Sequence, residues 1–238
     1  MTSINKVIQE PAFVLHTRSF KETSLIVDLF TKNLGKISVV AKGAKRAKNK
    51  LRSVLTPNSL FSVSYSGRGE LKNLIDCEVI EHFSIPAKLT LSCIVYINEL
   101  LTKTLEKEDP HSEIFRQYNS VCSILVNQHD QFIVQSSLRS FELVLLQELG
   151  YGIDLNHESI TNAKINKDIN YHFNPDSGFI KTESNAENVF SGIDIIRFSE
   201  GDLSNASTRS VAKMIMRKSL DFHLGNKKLN IRSYLTNK

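Results

Sequence analysis

The first third of the chain alternates apolar runs with short turn sequences, a pattern typical of β-strands. The runs are rich in valine, isoleucine, leucine and phenylalanine, which pack well on a pleated, half-buried surface. The short connection Asn33-Leu34-Gly35 predicts a tight hairpin turn. The pattern predicts five strands, at residues 12–18, 24–32, 36–42, 59–66 and 70–83.

Five strands in so short a segment make a small sheet, and small sheets tend to close on themselves because an unpaired edge invites aggregation. A five-stranded barrel of the oligonucleotide/oligosaccharide-binding (OB) type fits the strand count. An SH3-like barrel fits it equally well, so the count leaves both open.

The periodicity changes after Pro86, where apolar residues begin to recur at steps of three and four. This spacing is typical of helices that bury one face. Residues 153–206 are polar and less regular, with a short hairpin predicted at 169–182. We therefore expect an α+β protein with a boundary near residue 83. The predicted helices lie within residues 89–109, 112–128, 136–152 and 205–225.

Charge is segregated along the chain. Residues 1–80 carry 13 Lys/Arg and 6 Asp/Glu, a net charge of +7. Residues 81–208 carry 9 and 18, a net charge of −9, and residues 209–238 carry 8 and 1, a net charge of +7. Two basic regions around an acidic middle indicate a polyanionic ligand and a different partner elsewhere.

The densest positive charge lies at residues 42–52, between the third and fourth predicted strands. Phosphates attract such a row of cations and release counterions on contact, so we expect nucleic-acid binding. The alternative is a solvated loop that keeps the protein soluble. Phe20 and Tyr65 are candidates for base stacking, although either can instead be a core or rim aromatic. The predicted DNA-contacting residues here are Arg18, Lys42, Lys45, Arg46, Lys48, Lys50, Arg52, Arg68 and Lys72.

A second basic signal lies on the predicted C-terminal helix. Arg209, Lys213 and Arg217 are four residues apart and therefore form one stripe along the helix. The stripe is either a further DNA contact or only the solvated face of an amphipathic helix.

Catalytic and metal-binding motifs are missing from the sequence. The phosphate-binding loop pattern fails, because Gly35-Lys36 is followed by isoleucine. The three cysteines form no CxxC pair and the seven histidines are scattered, so we expect no metal site. We therefore expect a non-enzymatic binding protein without a cofactor, a signal peptide or a membrane span.

Two motifs in the strand region are more specific. An R-x-x-x-E-x-S motif precedes an apolar strand, and a G-K motif precedes V-A-K-G-A-K. The segments GRGELKNL, YINELLTKTLE, LRSFELVLLQELGYGIDL and SGFI follow in order. Together they resemble the bacterial RecO family of recombination mediator and DNA-repair proteins over nearly the full chain. The motif residues are Arg18, Glu22, Ser24, Gly35, Lys36 and Val40–Lys45.

The resemblance implies an N-terminal OB-fold domain at residues 1–83 and a mainly α-helical domain at 84–238, with an irregular hairpin insertion at about 153–206. Many members carry a four-cysteine zinc motif after the LGY segment, but residues 149–170 contain no cysteine, so no metal is carried over. The implied function is a non-enzymatic mediator that binds single- and double-stranded DNA and anneals complementary strands. With RecR and the single-stranded DNA-binding protein SSB, it would help to load RecA.

The resemblance also implies a pocket in the helical domain for the acidic, apolar C-terminal tail of SSB. Such a tail needs a cation beside an apolar groove. Arg139 is the only cation between Gln131 and Lys164. The alternative is an exposed arginine paired with Glu142. The predicted tail-binding residues are Leu138, Arg139, Phe141 and Leu146.

We expect a monomeric, cytoplasmic protein. An RNA-binding translation or ribosome-associated factor with the same small barrel is the main alternative, and an enzyme with an unrecognised site is another. Annealing of SSB-coated complementary DNA distinguishes a recombination mediator from an RNA-binding factor, which should not anneal such strands.

Overall fold

The computed structural model divides the chain into two compact units. Unit 1 comprises Met1–Asn127 and Leu229–Lys238, and unit 2 comprises Gln128–Lys228. The structure describes residues 6–46, 51, 55–84, 88–127, 130–184 and 187–232.

Unit 1 begins with a five-stranded closed barrel. Its strands are β1 (Lys6–Phe20), β2 (Ser24–Thr31), β3 (Gly35–Ala41), β4 (Ser59–Ser66) and β5 (Leu71–His82). The pairing order is β1-β2-β3-β5-β4, and β4 pairs back with β1. All pairs are antiparallel except β3 with β5. This is the arrangement of an OB-like barrel, so the expected fold class is confirmed.

The barrel interior is filled by alternate residues of each strand, because successive side chains point to opposite faces. Ala12 and Val14 of β1 lie in the interior cluster with Val27 and Leu29 of β2. Phe13 lies between the first two and points to the other face, yet it is also fully buried. The outside of β1 is therefore covered at this point.

The turn between β2 and β3 depends on Gly35, which adopts a φ of +70°. A Cβ at this position would lie 2.2 Å from the backbone oxygen of Asp109, so a side chain has no room. The Thr31 hydroxyl closes the turn, donating to the Gly35 carbonyl at 2.8 Å and accepting from Leu34 N at 3.1 Å. The predicted hairpin turn is confirmed.

Two helices, α1 (Lys88–Thr104) and α2 (Ser112–Asn127), cover the outer face of β1. The Phe13 ring packs against Tyr118 and Phe115, with ring centroids 4.4 and 5.1 Å apart. Asn98 donates to the Val14 carbonyl at 3.3 Å and accepts from the Tyr118 hydroxyl at 2.6 Å. Both helices therefore belong to the compact unit of the barrel, although they follow residue 83 in sequence.

Unit 2 combines helices with a small antiparallel sheet of three strands, β6 (Asn170–Asn174), β7 (Gly178–Thr182) and β8 (Val189–Ser191), in the order β7-β6-β8. The β6–β7 pair confirms the predicted hairpin. The third strand and the short helix after it fall in the segment for which the sequence predicted only that hairpin. The helices are α3 (Gln131–Glu148), α4 (Gly192–Ser199) and α5 (Ala206–Leu224).

The short helix α4 is joined to α5 by one carboxylate. Asp194 accepts hydrogen bonds from the hydroxyls of Ser191, Ser207 and Thr208 at 2.7, 2.8 and 2.7 Å. Burial alone would raise the pKa of Asp194, but these three donors, with Arg197 nearby, lower it below its usual value. The ionised form of Asp194 therefore stabilises this junction.

Candidate nucleic-acid interface

A cleft of about 370 Å³ opens beside the β1–β2 turn and the end of β3. It is shallow and contains both apolar and cationic side chains. Every residue that forms it belongs to unit 1. The lining residues are Phe20, Lys21, Thr23, Ser24, Val40, Lys42, Gly43 and Arg46.

Two turns bring these residues together. The pair Phe20 and Ser24 closes the β1–β2 hairpin, and Lys21 within that turn adopts a φ of +51°. After β3 the chain folds back towards the hairpin, because Lys45 N donates to the Thr23 carbonyl at 2.9 Å. This hydrogen bond fixes the start of the basic segment against the barrel.

The charge of the cleft is entirely positive. Lys21, Lys42 and Arg46 contribute three cations, and no carboxylate is present among the described lining residues. The described part of the chain shows no ion pair from any of the three within 4 Å. Lys21 also lies over the Phe20 ring, with Nζ 5.4 Å from its centroid. Clustered cations beside a half-buried ring can bind a phosphate and its attached base.

The predicted basic segment is only partly described. Lys42 and Arg46 are exposed and line the cleft, and Lys45 is half-buried beside them. The remaining three predicted cations, Lys48, Lys50 and Arg52, lie outside the described residues. Lys21 was not predicted, although its position in the short turn between two strands was a usable signal.

The three flanking cations differ in their surroundings. Arg18 is exposed on β1, and its guanidinium lies 3.6 Å from Asp28 Oδ2. Arg68 is exposed in the β4–β5 turn. Lys72, in contrast, is only 8% exposed, and its ammonium donates to Glu108 at 2.5 Å. Lys72 is thus neutralised inside unit 1 and does not offer its charge to a ligand.

The two aromatic residues that the sequence suggested for base stacking also differ in exposure. Phe20 is half-buried at the cleft. Tyr65 is 2% exposed in the barrel interior, and burial, reinforced by Glu10 and Glu108, raises its pKa to about 12. The suggestion that Tyr65 stacks on bases is wrong, because its ring fills the core.

The basic stripe of α5 is heterogeneous. Arg209 is held in place, donating to the carbonyls of Leu203 and Ser204 at 2.9 and 2.6 Å. Lys213 and Arg217 are exposed, with Arg217 Nε 3.8 Å from an Asp221 oxygen. Two of the three predicted cations are therefore exposed on α5, whereas Arg209 is bound to backbone carbonyls of unit 2.

Arg139 is paired with Glu142, as the alternative prediction stated, but the ion pair is largely buried. Its guanidinium donates to Glu142 at 2.7 Å, and the Glu142 side chain is 1% exposed. Phe141 and Leu146 are each buried to 1% exposure, so they do not line an open groove. Leu138 remains half-buried.

The described residues offer neither a metal site nor a membrane-spanning helix. Within these ranges, no group of three or more His, Cys, Asp or Glu side chains is placed to hold a metal ion. Over the same residues, no helix combines the length and apolar character needed to cross a bilayer.

The fold and the cleft together define an OB-like barrel protein with a cationic cleft, followed by a helical region. Family models of the recombination protein O match this chain, the N-terminal model at residues 4–83 and the C-terminal model at residues 89–232. The chain belongs to the RecO family. The resemblance seen in the motifs is therefore confirmed.

Individual relatives align over almost the whole chain. DNA repair protein RecO of Dechloromonas aromatica is 34% identical over 230 residues, covering 96% of this chain and 95% of the relative. The protein of the same name from Burkholderia pseudomallei is 37% identical over 237 residues, covering 98% and 85%. That from Glaesserella parasuis is 35% identical over 227 residues, covering 92% and 91%. These relatives support a role in DNA repair and recombination.

Proposed function

We propose that this protein is a non-enzymatic recombination mediator that binds single- and double-stranded DNA and anneals complementary strands. It acts with RecR and SSB to help load RecA, as a monomer in the cytoplasm. The observation that carries the DNA-binding part is the barrel cleft, where three cations and a half-buried ring meet without a described carboxylate. Family membership supports the wider repair role.

The cleft supports backbone contact more than reading of a particular base. Lys21, Lys42 and Arg46 are donors without a carboxylate among the described lining residues, so they are suited to phosphates, which are common to every sequence. The Phe20 ring is available for stacking, and any base can stack on an aromatic ring. Binding without sequence preference is what annealing of arbitrary complementary strands requires.

The decisive experiment is annealing of complementary DNA strands coated with SSB. We expect the wild-type protein to anneal them and a cleft variant (Lys21→Gln, Lys42→Gln, Arg46→Gln) to lose most of this activity. The matched control variant (Lys164→Gln, Lys167→Gln, Lys181→Gln) removes the same charge from exposed positions of unit 2 and should anneal normally. Absence of annealing by the wild type, with tight RNA binding in its place, would favour the RNA-binding alternative.

We further propose that the SSB tail binds beside Arg139. Support comes from the Arg139 side chain, which is 14% exposed, and from the half-buried Leu138 that precedes it. In this proposal the tail carboxylate shares the guanidinium with Glu142.

A double substitution tests the tail site without leaving a buried charge. Arg139→Met with Glu142→Met removes both members of the ion pair. We expect it to abolish binding of a peptide with the SSB tail sequence and to leave binding of naked DNA unchanged. Undiminished peptide binding by this variant would rule out the Arg139 site.

A further inference from the structure

An exposed aromatic cluster lies in unit 2, at the end of the helix that carries the predicted basic stripe. The Tyr151 ring stacks on His223, with centroids 4.1 Å apart and planes inclined by 16°. Phe222 meets the same imidazole edge-on at 5.1 Å and 85°. Tyr151 is 48% exposed and Phe222 is 51% exposed. We call Tyr151, Phe222 and His223 the aromatic face.

The aromatic face continues along α5. Met214, Lys218 and Phe222 are four residues apart and share one side of the helix, and Met214 is also exposed. Lys213 and Arg217 are the exposed residues immediately before Met214 and Lys218. Exposed apolar side chains and cations thus alternate on this part of the helix.

The charge around the aromatic face favours an anionic ligand. Helix α5 carries four Lys/Arg and a single acidic residue, Asp221. That carboxylate lies 3.8 Å from Arg217. Burial lowers the pKa of His223 below its usual value, against the opposing effect of Asp176, so at neutral pH the ring stack is uncharged and suited to another flat ring.

The Tyr151 and Phe222 rings are about half exposed, so they contribute less to the stability of the fold than buried rings would. Flat aromatic surfaces flanked by cations are how proteins hold unpaired bases, with the rings stacking on bases and the cations contacting phosphates. We propose that the aromatic face is a stacking platform for unpaired bases of a single-stranded polynucleotide. Lys218 and Arg217 contact the phosphates on either side.

The inference rests on the proposed function and extends it to a base-contacting site in unit 2. It implies discrimination between strands, since the bases of a duplex are stacked on one another and do not present a free face. Loss of the platform should therefore affect single strands and spare duplexes.

The test compares three probes: an oligothymidylate, an abasic oligonucleotide of equal length, and a duplex. For the double variant Tyr151→Ala, Phe222→Ala we expect roughly five- to a hundredfold weaker binding of the oligothymidylate. Binding of the abasic strand and of the duplex should stay at the wild-type level. The control variant Ile160→Ala removes an apolar side chain that is 72% exposed in the same unit and should bind all three probes normally. Tyr151→Phe keeps the ring and should retain wild-type affinity.

If the double variant does not fold, crosslinking of the wild-type protein tests whether bases contact the aromatic face. Bromodeoxyuridine in a single strand should crosslink to Tyr151 or Phe222 on irradiation, and peptide mapping identifies the site. Crosslinks confined to unit 1 would overturn the proposal. So would unchanged oligothymidylate affinity in a folded variant, or an equal loss for all three probes. Failure of the wild-type protein to bind any DNA would instead refute the proposed function itself.

Discussion

The cations of the barrel cleft and those of unit 2 show how differently the same residue types can be used. In the cleft, Lys21, Lys42 and Arg46 line an open surface without a described carboxylate. In unit 2, Arg139 is paired with a buried glutamate and Arg209 is bound to two backbone carbonyls. Cations whose charge and donors are already used within the fold are less suited to the phosphates of DNA than cations on an open surface.

The free energy lost when an ion pair is broken also differs between buried and exposed pairs. Removing one partner of a buried ion pair leaves an uncompensated charge and costs about 3–5 kcal/mol. An exposed pair contributes about 0–1 kcal/mol. Mutations of cleft cations should therefore change DNA affinity, whereas mutations of enclosed cations should change stability.

The largest effect is expected at Arg139. Arg139→Ala strands the Glu142 carboxylate in the core, so the free energy of unfolding should fall by about 3–5 kcal/mol. Urea unfolding followed by circular dichroism measures this. The Arg139→Met, Glu142→Met variant serves as the control and should regain most of the loss, because no buried charge remains. Equal destabilisation by both variants would contradict a buried ion pair.

The cleft variant should show the next largest effect, on DNA affinity. Each phosphate of a single strand that the protein no longer neutralises lowers the salt slope by about 0.7. Three such phosphates change the log–log slope by about 2 and weaken binding roughly a hundredfold at about 0.1 M salt. Fluorescence anisotropy over a salt series measures both. If the matched control variant of unit 2 shows the same change in slope, the effect belongs to net charge and not to the cleft.

Asp194 extends the comparison to a carboxylate whose charge is used within the fold. Its pKa in the folded protein is lowered by three hydroxyl donors and Arg197 despite its burial, so its contribution to stability is present above the unfolded pKa near 4. This contribution is lost as the pH falls through the lower, folded pKa. Asp194→Asn should cost about 1–3 kcal/mol at pH 7 and flatten the acid limb of a stability–pH profile. An unchanged acid limb would show that Asp194 is not a source of the pH dependence.

The smallest effect is expected at Asp28, the partner of Arg18. Asp28→Asn removes a carboxylate 3.6 Å from the Arg18 guanidinium and leaves that cation available. Because the pair is partly exposed, we expect DNA affinity to rise only about two- to fivefold. Asp168→Asn, an exposed change of equal charge in unit 2, should leave affinity unaltered. A similar rise with both variants would indicate a general charge effect.

Much of the fold was predictable, because its patterns are local. The five predicted strands match β1 to β5, and the four predicted helices match α1, α2, α3 and α5, although β1 begins at Lys6 where the sequence predicted residue 12. In contrast, β8 has three residues and α4 has eight. Both are shorter than the window of about 11–18 residues over which apolar spacing distinguishes helix from strand, and α4 is fixed by hydrogen bonds to Asp194 from α5.

The candidate site was predictable only in part. The density of cations at residues 42–52 identified Lys42 and Arg46, but Lys21 became part of the cleft only when two turns met. Lys72 has the same charge, yet its side chain is enclosed and donates to Glu108, which is 36 residues away in the chain. The sequence does not show which face of a strand another element will cover.

The sequence by itself determined the strand and helix pattern, the missing zinc cysteines and the basic ends of the chain, because each follows from neighbouring residues or from composition. The tertiary structure alone decided which cations stay open to a ligand, which rings fill the core and which rings remain exposed. Those outcomes depend on contacts between residues far apart in the chain, such as Lys72 with Glu108 and Tyr151 with His223.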